Sequence, residues 1–253
     1  DVHKTYGHWY VLANNPAIAP LGQARPNADV FRELAARMGF DEPALRASDE
    51  DIVRDAMDWT APQAGGVSLE QLRREGWTKM RHADAPFAQG GFPSPSGRCE
   101  FYSQRLADQG LDPLPDWVPP WESAISNPGL AARYPLALIS PPARTFLNST
   151  FVNIPGLQAQ AKEPAVEIHP DDAAARGVAH GDMVEVFNDR GRFLARASVS
   201  DRARPGVPVA WGVWWHKLTQ GGRNVNAVTS QALTDLGRGP TFYDCLVELR
   251  PAP

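Results

Sequence analysis

Cysteine is scarce in this chain. The 253 residues hold two, Cys99 and Cys245, far apart and in no CxxC or CxxxC spacing. Neither a zinc site nor an iron–sulfur site can be read from them. They read as buried free thiols, with a disulfide between them as the alternative. Long apolar runs are missing too: none reaches the ~18 residues that a transmembrane helix needs. No secretory signal is visible. Positive charge is not in surplus, since 25 Lys and Arg face 29 Asp and Glu for a net charge of −4. Nucleic acid and anionic membranes therefore have no general electrostatic hold on the chain, and neither is expected as a partner. No Ser–His–Asp order or HExxH spacing is present, and the Gly-rich stretch Gly221–Arg223 lacks the Lys-Ser/Thr pair of a P-loop. The opening, DVHKTYGHWY, has no Met and starts in mid-pattern, as a fragment or a processed product would.

What is present is enough for a folded core. Apolar residues make up 43% of the chain and charged residues 21%, so disorder is not expected. The length suits one large domain or two ordinary ones. The first part reads as short helices among irregular segments. In PNADVFRELAARMGF, Asn27 is placed as an N-cap, Val30, Phe31, Leu34 and Met38 share a helical face, and Gly39 stops the helix. Ser48 and Asp51 resemble a capping box, and Ser68, Gln71 and Gly76 repeat that logic. RCEFYS (Arg98–Ser103) reads as a short strand. The proline-rich LDPLPDWVPPWES (Leu111–Ser123) reads as a stiff connector and as the domain boundary.

After Tyr134 the texture turns to β. YPLALIS, PAVEI, DMVEVFN, RFLARASVS, VPVAW and DCLVELR read as six strands, with NDRG (Asn188–Gly191) as a hairpin turn. A short helix opens on Pro170, with Asp171 and Asp172 beside its positive end. Those carboxylates and Asp182 read as structural, and His169 as a helix-entry residue. Six strands with one short helix favour a small closed barrel, so the fold class is mixed α+β. Between the first two strands lies ISPPARTFLNSTFVN (Ile139–Asn153). Seven of its fifteen residues are Ser, Thr, Asn or Arg, and no helix is expected directly after it. By composition it is either a solvated connection with local side-chain bonds or a row of donors aimed at a polar ligand.

The passage EPAVEIHPDDAAARGVAHGDMVEVFNDRGRFLARASVSDRARPGVPVAW (Glu163–Trp211) resembles the C-terminal, molybdopterin-dinucleotide-binding domain of the molybdopterin oxidoreductases, the dimethyl sulfoxide reductase family. Glu163, Pro164, Val166, Ile168, Pro170, Asp172, Ala173, Gly177, Gly181, Asp182, Val184, Val186, Asn188, Arg190, Gly191, Arg204, Pro205 and Gly206 follow the family's pattern in order. GVWWHK, NVNAVTS and LTDLGRGPTFYD are similar to the family's C-terminal end, and YGHWYVLANNPAIAPLGQARPNADVFRELAARMGF looks like a late part of its catalytic body. Gln23 departs from the pattern, where the family carries Glu in an LGEA run. The family's N-terminal cysteine cluster for a [4Fe–4S] centre and its upstream metal-ligating residue have no counterpart here.

The resemblance implies a double-psi β-barrel over residues 130–253, preceded in 1–125 by a remnant of the catalytic domains. It implies molybdopterin guanine dinucleotide as cofactor, carrying Mo or W, with any [4Fe–4S] centre confined to the missing N-terminal part. Implied partners are the dinucleotide, the rest of the catalytic subunit and an electron-transfer subunit, in a bacterial-type enzyme placed in the cytoplasm rather than the periplasm. No catalytic or metal-ligating residue is expected in the chain itself. Such a cofactor demands many neutral donors and acceptors and a few cations. Ser140, Arg144, Asn148, Ser149 and Thr150 meet that demand in the first polar loop. Asn226 and Thr229 do so in a second, and Trp214 or Trp215 is expected to line the site while Trp211 packs inside. Phe242 and Tyr243 are assigned contacts at the last strand, with core packing as the alternative. The rival class is a non-catalytic barrel that serves as a binding module; convergence of loops 140–153 and 224–230 on one face would separate the two readings.

Overall fold

A computed structural model describes all residues, Asp1–Pro253. The chain divides into two compact units, Asp1–Leu114 and Pro115–Pro253, and the division falls inside the proline-rich connector. No helix is long and apolar enough to cross a membrane.

The first unit holds a small antiparallel sheet in the order β1 (Val2–Lys4), β2 (Tyr10–Ala13), β3 (Trp77–Lys79). Around it lie α1 (Asn27–Met38), α2 (Asp49–Asp55), α3 (Leu69–Glu75) and α4 (Gln104–Ala107). Local chemistry sets their limits. Ser48 and Asp51 form a reciprocal capping box on α2, Ser68 caps α3 through Gln71, and Gly39 and Gly76 end α1 and α3 at φ of 79° and 83°. Three expectations need correction. Asn27 is the first helical residue, and Pro26 takes the cap position without a side-chain bond. Arg98–Ser103 is not a strand: it has no pairing partner, and the Glu100 carboxylate turns back to accept from the Ser96 N–H. The sheet is an addition to the helices and irregular segments expected here, and its strands are very short. The core of this unit is thin, centred on Val11, Leu69 and Leu72, and the apolar face of α1 lies open.

The second unit is a six-stranded sheet. After α5 (Pro128–Arg133) come β4 (Leu136–Ala137), α6 (Pro155–Ala161), β5 (Ala165–Ile168), α7 (Pro170–Ala174), β6 (Met183–Phe187), β7 (Arg192–Val199), β8 (Val209–Ala210) and β9 (Leu246–Pro251). The strand order is β4-β9-β6-β7-β5-β8, antiparallel except for the parallel β5–β7 pair. All six anticipated strands form, and Asn188–Gly191 closes the β6–β7 hairpin. The sheet curls until its edges meet. Ala137 donates to Gly206 O (2.8 Å), Ile139 to Pro208 O (3.1 Å) and Ala210 to Ile139 O (2.9 Å).

Period-2 alternation drives the burial. Val166, Ile168, Val184, Val186, Ala195, Ala197, Val247 and Leu249 point into one continuous apolar cluster. Three carboxylates of this unit are buried and paired: Glu185 with Arg192 and Arg250, Glu167 with Arg202, and Glu122 with Arg190. Glu122, from the connector, also accepts from the Leu246 N–H at 2.9 Å, so it ties Pro115–Ser123 to the sheet. Helix α6 stands where no helix is expected; it begins on Pro155 with no side-chain cap.

Candidate functional site

The loop after β4 is built on a tight reversal. Leu147 and Thr150 exchange both backbone hydrogen bonds, 3.1 and 2.7 Å, and leave Asn148 and Ser149 at the tip. Asn148 takes a positive φ of 48°, which Asn tolerates better than most residues. Phe151 takes φ 73°, a strained value for a bulky side chain. Beneath the tip, Phe146 and Val152 are buried against Trp214, with the Phe146 and Trp214 rings edge to face at 5.2 Å. The loop is therefore anchored by its apolar members, while Asn148, Ser149 and Thr150 stay exposed.

Hydrogen bonds carry this loop to the other expected segments. Gly212 donates to Pro141 O (2.9 Å) and Val213 to Asn148 O (3.4 Å), and the Trp215 indole N–H donates to Ser149 O (2.7 Å). Gly212 sits at φ +74°, where an added Cβ would lie 2.6 Å from the Phe146 ring, so the close approach requires glycine. Buried Asn224 then donates to Trp214 O at 2.6 Å and accepts from the Asn226 N–H. Thr229 closes the same turn by donating to Asn226 O. The β6–β7 turn supports it, since Asn188 and Arg190 both donate to Val228 O. Loops 140–153 and 224–230 are thus joined through Val213, Trp214 and Trp215 rather than separated.

A cavity of about 670 Å³ opens beside the first loop. Arg144 and Trp214 are the two expected residues on its wall; Glu167, Arg202, Trp211 and Gln160 line it as well. Ser140, Asn148, Ser149, Thr150, Trp215, Asn226 and Thr229 lie off that wall. Phe242 and Tyr243 are exposed and pack on each other at 4.4 Å, with no bond to either loop. Trp211 does not pack inside: it is 44% exposed, and its indole N–H donates to Glu167 at 3.3 Å. Trp214, at 5% exposure, is the buried one of the two. Glu167 is the residue that sequence reasoning missed. Its signal is a carboxylate between two apolar core positions in AVEI.

The cysteines also depart from expectation in part. Both are free, but only Cys245 is buried; Cys99 is exposed. Burial pushes the Cys245 thiol up to about 11, against the opposing pull of Arg190. Arg190 is itself desolvated, and its bidentate pairing with Glu122 still raises its pKa above the ordinary guanidinium value. The residues at the helix start and the following turn behave structurally: His169 accepts from the Asp171 N–H, Asp172 from Gly206 (2.6 Å) and Asp182 from Ala179 (2.7 Å).

Residues 136–246 match the family model described as "Molydopterin dinucleotide binding domain". Over 98% of its length the chain is 32% identical to "Probable oxidoreductase YoaE" of Bacillus subtilis (strain 168), and over 95% it is 30% identical to "Dimethyl sulfoxide reductase DmsA" of Escherichia coli (strain K12). The chain belongs to the molybdopterin oxidoreductase family. It spans about a third of these relatives, 35% of the first and 32% of the second. "Acetylene Hydratase from Pelobacter acetylenicus" shares the fold, with a TM-score of 0.73 at 21% identity, over 99% of this chain and 36% of that one. The family match covers both polar loops and the strands β4 to β8, and it ends at the first residue of β9.

Proposed function

We propose that the chain is the cofactor-binding portion of a molybdenum or tungsten oxidoreductase that moves an oxygen atom or a hydride equivalent. Its second unit is a double-psi β-barrel that holds molybdopterin guanine dinucleotide, and the first unit, up to Leu114, belongs to the catalytic domains of the larger subunit. The other partners in this reading are the rest of that subunit and an electron-transfer subunit. The observation that carries it is the bonded run from Asn148 and Ser149 through Val213, Trp214 and Trp215 to Asn224 and Asn226, set beside a cavity walled by Arg144 and Arg202.

The donor set fits the group. A diphosphate calls for guanidinium groups, which pair with it in bidentate fashion. A pterin and a guanine call for neutral donors, acceptors and flat walls. Arg144 supplies the first, Arg202 being paired with Glu167; Thr145, Gln160 and Trp211 supply the second, and the wall also carries the Glu163 and Glu167 carboxylates as acceptors. The redox chemistry would come from the bound cofactor, and the chain's own work is to bind and orient it. Arg144 would neutralise phosphate charge at the cavity wall, and the loop tip would present Asn148 and Ser149 as polar contacts held in place by the Trp215 bond.

The test is cofactor retention in the complete enzyme. Asn148→Gly, Ser149→Ala and Arg144→Ala are each expected to lower the dinucleotide content of purified enzyme while circular dichroism stays unchanged. Full retention in all three variants would overturn the assignment. The 253-residue chain alone is expected to show no turnover, and measurable reductase activity from it would contradict the assigned role.

A further inference from the structure

The cavity wall contains two carboxylates, Glu163 and Glu167, and Glu167 is the buried one. Glu167 lies between Val166 and Ile168, both fully buried in the core of the sheet, so alternation turns it to the opposite face. In the β5–β8 ladder Glu167 stands opposite Val209. Trp211, two residues further on, is then its diagonal neighbour on the same face. The Glu167 side chain is 8% exposed. One oxygen accepts from Arg202 Nε at 3.0 Å and the other from Trp211 Nε1 at 3.3 Å. Each carboxylate oxygen offers two acceptor positions, so each keeps one open. Both oxygens belong to a residue that lines the cavity, next to an indole that is 44% exposed.

A ligand that fits this pair is flat and carries two adjacent N–H donors on one edge. Bidentate donation to a carboxylate needs that arrangement, and the indole offers the ring a stacking surface. We infer that Glu167 reads the paired N–H donors of a 2-amino-4-oxopyrimidine ring, with Trp211 as the platform on which the ring stacks. Guanine and pterin both carry this edge. Adenine presents an acceptor there, which would face the carboxylate without a proton between them. The assignment rests on the cofactor-binding reading above and names the ring edge that Glu167 selects. Arg202 keeps its place at the cavity wall, where it orients the carboxylate.

Equilibrium binding of GMP, AMP and 6-hydroxymethylpterin to the 253-residue chain tests it, by tryptophan quenching and calorimetry. GMP or the pterin is expected to bind at least about tenfold tighter than AMP, since a site built to pair a polar edge discriminates strongly against a ligand lacking it. Whichever of the two binds tighter names the end of the dinucleotide that meets Glu167. Glu167→Gln should remove the preference, and Trp211→Ala should weaken all three. Equal binding of AMP and GMP, no binding of any probe, or a preference that survives Glu167→Gln would overturn the assignment. The selectivity of the unmodified chain needs no substitution, so a poorly folding variant does not shield it. Loss of GMP preference together with loop variants that shed their dinucleotide sinks only the Glu167 role; loop variants that keep it sink the cofactor reading instead.

Discussion

Glu122→Gln should be the most damaging single-charge change outside the apolar core. The Glu122 side chain is 5% exposed, and it pairs with both terminal nitrogens of Arg190 while accepting from the Leu246 N–H at 2.9 Å. Glutamine keeps the shape but supplies one acceptor oxygen and turns an NH₂ group toward a guanidinium. Removing one partner of a buried ion pair costs about 3–5 kcal/mol. Arg190 is 32% exposed, so water recovers part of that. The expected loss is about 2–3 kcal/mol, a large share of the roughly 5–15 kcal/mol of a typical domain. Urea unfolding followed by hydrogen exchange in β6, β7 and β9 reads the second unit separately, which matters because two units need not melt together. The control is Arg133→Gln, whose pairing with Asp189 is more than half exposed on both sides and whose loss should change stability little. A Glu122→Gln loss no larger than that of the control would refute the reasoning. Replacing Glu122 and Arg190 together with apolar residues should recover much of the loss, because no unpaired charge is left behind.

Four further outcomes are expected. Asn148→Ala should cost about 1 kcal/mol more than Asn148→Gly in thermal unfolding, since alanine is strained at the positive φ that glycine adopts freely. Gly212→Ala should cost about 2–4 kcal/mol in urea titration, from the same strain plus the collision with Phe146. A disulfide reagent at pH 8 should label one thiol quickly, the exposed Cys99, and reach Cys245 only after denaturation. The Cys245 thiol is raised from 9.0 to about 11 in the folded chain, so its contribution is complete below pH 9 and lost as pH climbs to 11. Stability should fall across that window by at most about 1.4 kcal/mol per pH unit, and Cys245→Ala should flatten that slope.

The second unit is legible because its strands alternate and its turns carry their own chemistry. Asn188–Gly191 closes a hairpin as read, and His169 with Pro170 opens α7. Gly39, Gly76 and the Ser48–Asp51 box mark helix ends by residue type alone. The failures share a physical cause. The β1–β2–β3 sheet pairs Tyr10–Leu12 with Trp77–Lys79, and strands this short carry no period of their own. Arg98–Ser103 has the β-like composition but no neighbour to bond. Helix α6 contains Pro155 and Gly156 near its start, and it lacks both a capping side chain and a buried face.

The tryptophans show how far register alone reaches. Ala210 is buried, so period 2 sends Trp211 to the outer face, where the structure places it. Trp214 is buried as well, but it lies beyond the end of β8, where alternation no longer applies and Val213 is the residue that packs on the core of the sheet. Gly212 at φ +74° breaks the strand, and Trp214 folds under the loop against Phe146 and Val152 instead of joining the core of the sheet. Register also sets Glu167 on the Trp211 side of β5, so the carboxylate and the indole meet because two alternations agree. The polar face of this sheet is therefore specified by strand pairing. The loop tip at Asn148 is specified by backbone strain and by the glycine that lets it approach, which no periodic signal encodes.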